Sequence, residues 1–257
     1  MNENNESIKV GFLYPGYAAE DDYPELGKMV DPRVDVHLVH TEFNEDAHTV
    51  EALSEMGSVP RIHEGIKHLA NSGVQSVIWT STSASFVLGL EGIKKQVEAL
   101  EEGLGVPAST TALTFIRAVK TIGAKRVAIA ATYPEDVAII FKKFLESFGI
   151  EVLQYASKGI ITAAEVGTLP KEEVIQFAKE NDCPVADALL IPDTALHSAL
   201  WIEDLEKVVG KPVLTANQVS FWEALRLTGQ FKPQTGLGTL FNQEAIKEGG
   251  KLFDYSS

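Results

Sequence analysis

GVPASTTALTFIRAVKTIG (residues 105–123) and GKPVLTANQVSFWEALRLTG (residues 210–229) carry one pattern once a single residue is inserted. Each runs through glycine, proline, a short strand ending in hydroxyl residues, an aromatic, an alanine, a basic residue and a closing glycine. Copies roughly a hundred residues apart mark two half-domains, because a solenoid repeats every ~20 to 50 residues. The pairing extends outward. The strand that ends in Tyr14-Pro15 has a counterpart ending in Tyr133-Pro134, and the strand that ends at Ser81-Thr82-Ser83 has one ending at Asp193-Thr194.

Between these landmarks, short apolar runs alternate with longer amphipathic stretches, the pattern of βαβ units around a parallel sheet. Strands are expected at 9–14, 34–40, 76–80, 126–132, 151–156, 188–191 and 213–215. Helices are expected at 59–71, 86–103, 111–122, 134–147, 171–181, 199–208 and 218–228, several of them closing on glycine, which suits the left-handed position after a helix. The fold class is therefore α/β, with two pseudo-symmetric Rossmann-like half-domains, each on a parallel sheet, and a ligand cleft between them. Residues 8–115 with 216–257 form the first half-domain and 116–215 the second.

A length of 257 residues is enough to bury a sizeable core. The longest apolar runs suit buried strands and fall far short of the ~20 residues of a membrane-spanning helix. The N-terminus, MNENNESIK, is polar and does not read as a secretion signal, so the expected location is the cytoplasm. A net charge of −14 argues against a nucleic-acid partner, which would need clustered Lys and Arg. The single cysteine, Cys183, precludes an intrachain disulfide, and the six histidines show no metal-ligand spacing. No metal and no cofactor is expected. Oligomeric state is left open, a homo-oligomer included.

Open α/β sheets bind ligands beyond the carboxyl ends of their strands. The repeat therefore aims Tyr14, Ser81, Thr82, Ser83, Tyr133, Asp193 and Thr194 at one cleft. Thr80 to Ser85 places five hydroxyl residues in six positions where a strand enters a helix. Capping uses some of them, and the surplus points to a carboxylate cradle. Asp193 is read either as an N-cap or as a general acid or base facing the cleft. A helix N-terminus would favour its carboxylate, and burial beside an anionic substrate would favour the acid. His197, four residues on, is a candidate to relay a proton or simply to pack. Cys183 precedes its strand and so lies at the end away from the cleft.

The ordered set IKVGFLYPG, TSTSASF, KRVAIAATYPEDV, ADALLIPDTAL, GKPVLTANQVSFWEALRLTG and GLGTLF resembles the arylmalonate decarboxylase and maleate isomerase branch of the aspartate/glutamate racemase superfamily, over nearly the whole chain. The resemblance implies two cysteines flanking a small carboxylate and passing protons to opposite faces of a planar intermediate. In isomerases the first is also a nucleophile, and the decarboxylases keep only the second. The first position falls on Ser81 and the second on Asp193, with Thr82, Ser83 and Tyr133 carrying over as the cradle. Serine lacks thiolate nucleophilicity unless a base activates it. The expected function is therefore that of a cofactor-independent enzyme, decarboxylase- or lyase-like, with Asp193 as proton carrier. The alternatives are a maleate-type cis–trans isomerase or racemase with altered catalytic residues, and a carboxylate-binding protein without catalysis.

Overall fold

The computed structural model describes residues 7–243. The first sheet is built from β1 (Lys9–Pro15), β2 (Asp35–Thr41), β3 (Ser76–Trp79) and β4 (Ala108–Thr110) in the order β2-β1-β3-β4. The second is built from β5 (Arg126–Ala131), β6 (Glu151–Ser157), β7 (Ala188–Ile191) and β8 (Val213–Thr215) in the order β6-β5-β7-β8. Every pairing is parallel. Substituting β5 for β1 and so on turns one order into the other, so the sequence repeat is also a repeat of topology.

The helices are α1 (Asp22–Met29), α2 (Val50–Met56), α3 (Val59–Leu69), α4 (Ser83–Phe86), α5 (Gly89–Leu104), α6 (Thr111–Thr121), α7 (Glu135–Ser147), α8 (Ala163–Val166), α9 (Lys171–Glu180), α10 (Ile202–Val209) and α11 (Ala216–Leu227). Parallel strands covered on both faces have no solvated side. Accordingly SVIW in β3 and ALLI in β7 are buried at every residue, whereas the edge strands β2 and β6 are mostly half-buried. The helices within the two copies of the repeat, α6 and α11, pack against each other, and α11 also covers β3 and β4.

All seven expected strands are present, with an additional one in β4. Three residues are too few to show a period, although the first copy of the repeat contains them. The helix expected over 86–103 is in fact α4 and α5, parted where Gly89 takes φ 65. The helix expected over 199–208 opens with a 3-10 turn, Ala199–Trp201, before α10. Three helices the periodicity did not mark, α1, α2 and α8, are short, and α2 and α8 border the cleft. Residues 1–6 and 244–257, the latter read from the sequence as the end of the first half-domain, lie outside the described residues. Among the described residues no helix is long and apolar enough to cross a membrane.

Candidate active site

The carboxyl ends of β1, β3 and β7 meet at one cavity. Its wall includes Tyr14, Ser81, Ser83, Asp193 and Thr194, with Tyr17, Phe43, Asp46, His48 and Met56 closing it. Thr82 and Tyr133 are buried and stand outside this lining. The space open to the centre of a water molecule is about 30 Å³. One water needs ~10 to 15 Å³ by that measure, so a substituted carboxylate enters only when a wall moves. The outermost residue of the wall is Tyr17, which is 72% exposed and stacks on His40 with ring centroids 4.0 Å apart. Beside it Gly16 takes φ 70, and a Cβ there would sit 2.5 Å from the Phe43 ring, so glycine is required on both counts.

The hydroxyl run divides by role. Thr80 donates to Leu13 O at 2.6 Å, and Ser85 donates to Ser81 O at 3.0 Å. Ser81 Oγ accepts from Ala84 N–H at 3.2 Å, as a cap does, and no basic side chain hydrogen-bonds it. Thr82 Oγ1 is buried beside the Tyr133 phenol and closes no well-formed hydrogen bond. The turn is held from behind by Gln96, whose Nε2 donates to Gly57 O and Ala84 O, both at 2.8 Å.

Both tyrosines bridge to the β7 side. Tyr14, in the first half, donates to Thr194 O and accepts from Ala19 N–H, each at 3.0 Å. Tyr133 donates to Pro192 O at 2.6 Å. Burial pushes the Tyr14 phenol well above its ordinary 10.0, with the charges of Tyr23, Asp193 and Glu20 adding to it and the Ala19 hydrogen bond opposing it. Burial does the same to Tyr133, the charge of Asp193 adds to it, and the hydroxyls of Thr82 and Ser83 act the other way. Both phenols are therefore neutral donors throughout the physiological range.

Asp193 does not open a helix. Its carbonyl accepts from Leu196 N–H at 3.3 Å, and Oδ1 accepts from Ala195 N–H at 2.9 Å, which makes an Asx-type turn. The Thr132 hydroxyl donates to Oδ2. The N-cap reading, with its helix dipole, is corrected accordingly. The cause lies in the first half: Asp22 Oδ2 takes the N–H groups of Ser198 and Ala199 at 2.8 and 3.0 Å and draws the chain out of helical path. The relay reading of His197 is corrected as well. Its Nδ1 meets Gly167 O at 3.1 Å and its Nε2 meets Asp21 Oδ1 at 2.8 Å, so neither nitrogen is left for Asp193. Cys183 precedes β7, at the far end of that strand from Asp193.

Asp22 offers a pH test of this seam. Burial raises its carboxyl from the ordinary 3.8, against the hydrogen bonds from Asn217, Ser198 and Ala199. The folded state thus holds the proton more tightly than the unfolded chain. Asp22's contribution to stability is complete below about 3.8 and is lost as pH rises through the raised folded value. Asparagine keeps an oxygen for the same three donors and does not ionise. Urea denaturation from pH 4 to 7 should therefore show Asp22→Asn gaining on the parent as pH rises. A constant difference would mean that Asp22 ionises normally in the fold.

Sequence reasoning missed His48 and Asp46. Both lie in the segment 42–49, which has no hydrophobic period. Asp46 accepts from Ala163 and Ala164 N–H at 2.8 and 3.1 Å, and His48 Nδ1 meets Ile160 O at 3.0 Å. The local signal was Thr49, whose hydroxyl caps α2 and so places His48 immediately ahead of a helix start.

The sequence profile described as arylmalonate decarboxylase matches residues 40–241 of this chain. The arylmalonate decarboxylase of Bordetella bronchiseptica is 28% identical over 181 residues, covering 69% of this chain and 75% of that protein. A maleate isomerase of Nocardia farcinica is 24% identical over 186 residues, 70% of this chain and 74% of that one. The crystal structure of the maleate isomerase Iso from Pseudomonas putida matches with a TM-score of 0.84 at 20% identity, over 92% of this chain and 99% of that chain. A Cys-to-Ser variant of the Nocardia farcinica maleate cis–trans isomerase, carrying a covalently bound succinylcysteine intermediate, matches at 0.83 and 21% identity over 92% and 99%. At these identities the two structures speak for the fold.

Proposed function

The chain belongs to the arylmalonate decarboxylase family, and from that premise we propose that it is an enzyme that uses no cofactor and acts next to the carboxylate of a small organic acid, with Asp193 as the proton carrier. The observation that carries this reading is a buried acid, Asp193, at one strand end, facing across the cavity the buried hydroxyls of Ser81 and Ser83 in the turn at the equivalent strand end of the other half. We read the halves as 8–115 with 216–257 and as 116–215, a division supported by α11 covering β3 and β4.

In the decarboxylase form of the reaction, the bond from Cα to one carboxylate breaks and carbon dioxide leaves. The electron pair passes into an enediolate on the carboxyl that remains. Ser83 and backbone N–H groups of the wall stabilise its oxygens, joined by Thr82 and Tyr133 when the Tyr133 hydroxyl turns from Pro192 O to the substrate, with Tyr14 and Thr194 shaping the opposite wall. Asp193 then gives its proton to Cα and is reprotonated from water. Ser81 and Asp193 are read as standing at the two positions where relatives carry cysteine. Ser81, already used as a cap and with no base bonded to it, is a poor nucleophile, which disfavours addition–isomerisation and two-acid racemisation.

Incubation in D2O with phenylmalonate, methylmalonate, maleate and aspartate, followed by proton NMR, tests the reading. The expected result is loss of carbon dioxide from a malonate with one deuterium delivered to Cα. Conversion of maleate to fumarate without deuterium uptake would move the protein to the isomerase alternative. Heats of binding without turnover would leave a carboxylate-binding protein.

A further inference from the structure

We propose that His48 completes the oxyanion cradle, its Nε2–H supplying the positive charge that the enediolate needs and that no other side chain in the cleft can carry. The proposal rests on the carboxylate-enolising reading above. A carbonyl oxygen only accepts, so the contact to Ile160 O fixes the proton on Nδ1 and leaves Nε2 as the nitrogen that gains or loses one. His48 N–H also donates to Ile161 O at 2.6 Å, and the residue is buried, so the ring is held in place by two bonds to the other half. The same ring forms part of the cavity wall and meets the Tyr133 ring edge-to-face, centroids 5.1 Å apart. Tyr133 in turn stands beside the hydroxyls of Thr82 and Ser83.

Charge decides the need. The cavity wall contains Asp46 and Asp193 and neither lysine nor arginine. Decarboxylation spreads negative charge over both oxygens of the surviving carboxyl, in a site that already holds two acids. Neutral hydroxyls stabilise that charge less well than an ionised donor does. The titratable groups that face His48 are Tyr133 in ring contact, Asp46 on its own segment, and Tyr14, Tyr17 and Asp193 around the cavity. Each is acidic or neutral, so among the described residues of the cavity wall His48 is the one group that can carry a compensating positive charge.

The test compares benzylphosphonate, a dianion that resembles the enediolate, with phenylacetate, the corresponding monoanion. His48→Asn retains a donor for Ile160 O and removes Nε2. By calorimetry at pH 7.5 this variant should bind benzylphosphonate at least ~10-fold more weakly while phenylacetate changes less than ~3-fold, and kcat on any substrate found should fall ~100-fold, the usual loss for one oxyanion donor. In the unaltered protein, nitrogen-15 NMR should show Nε2 of His48 becoming protonated when benzylphosphonate binds. That measurement decides the matter even where the variant does not fold. Equal weakening of both ligands, or an unchanged Nε2, would overturn the role. If neither anion binds the parent, the carboxylate reading fails and His48 falls with it.

Discussion

Asp193→Asn is expected to leave the protein folded and to lower kcat at least ~100-fold on the substrate that the deuterium assay identifies, since a positioned general acid contributes ~10² to 10⁴. Asparagine retains an oxygen for Ala195 N–H and a polar group for the Thr132 hydroxyl, so the Asx turn that sets Tyr14 against Thr194 survives. What it loses is a transferable proton. Far-ultraviolet circular dichroism and the midpoint of thermal unfolding should stay within a few degrees of the parent. Asp193→Ala also removes the turn's acceptor, so it should lose both activity and stability, and the contrast separates chemistry from architecture. Binding of phenylacetate to the asparagine variant should remain, because the hydroxyl turn belongs to the other half. Turnover that survived in both variants would remove Asp193 from the mechanism.

The sequence revealed most where its signal was local. The strand ends at Tyr14, Ser81 and Asp193 could be read because each strand is an apolar run closed by polar residues, and the internal repeat then paired them. β3 and β7 carry this signal most clearly, as they are buried along their whole length. Hydroxyl surplus in the Thr80–Ser85 run was legible too, but its division of labour was not. Which hydroxyls cap and which remain free depends on Leu13 O and the Ala84 backbone, partners set by the fold.

What the sequence concealed was made by long-range contacts. A Pro-Asp-Thr run after a strand looks like a helix start, yet Asp22, 176 residues away along the chain from Ser198, takes the amides that a helix would need. Asp21 engages His197 by the same route, since the loop after β1 closes over the loop after β7. His48 carries no sequence pattern at all. Its placement comes from the carbonyls of Ile160 and Ile161 in the other half. Local chemistry thus marked the two faces of the cleft, and tertiary contacts chose the groups that close it.

Glu223→Ala is expected to cost about 3 to 5 kcal/mol, the loss typical when one partner of a buried ion pair is removed. Glu223 is buried on α11, where its Oε2 receives Arg226 Nε at 2.7 Å and its Oε1 stands 3.1 Å from Arg117 Nε on α6. Arg117 and Glu223 occupy the same place in the repeat, each immediately before the conserved step to Ala118 or Ala224. Where two equivalent helices pack, a residue near the pseudo-two-fold meets its own counterpart. An exact repeat would set like charges against each other there; Arg in one copy and Glu in the other turn that repulsion into attraction across the seam. Removing the carboxylate takes a buried counter-charge from two guanidinium groups that are only 13% and 15% exposed. Urea denaturation should therefore show a large fall in midpoint for Glu223→Ala and a smaller one for Arg117→Ala with Glu223→Ala together, because the double variant leaves fewer unpaired charges. If the double variant instead lost the sum of the two single effects, this pair would contribute nothing across the seam between α6 and α11.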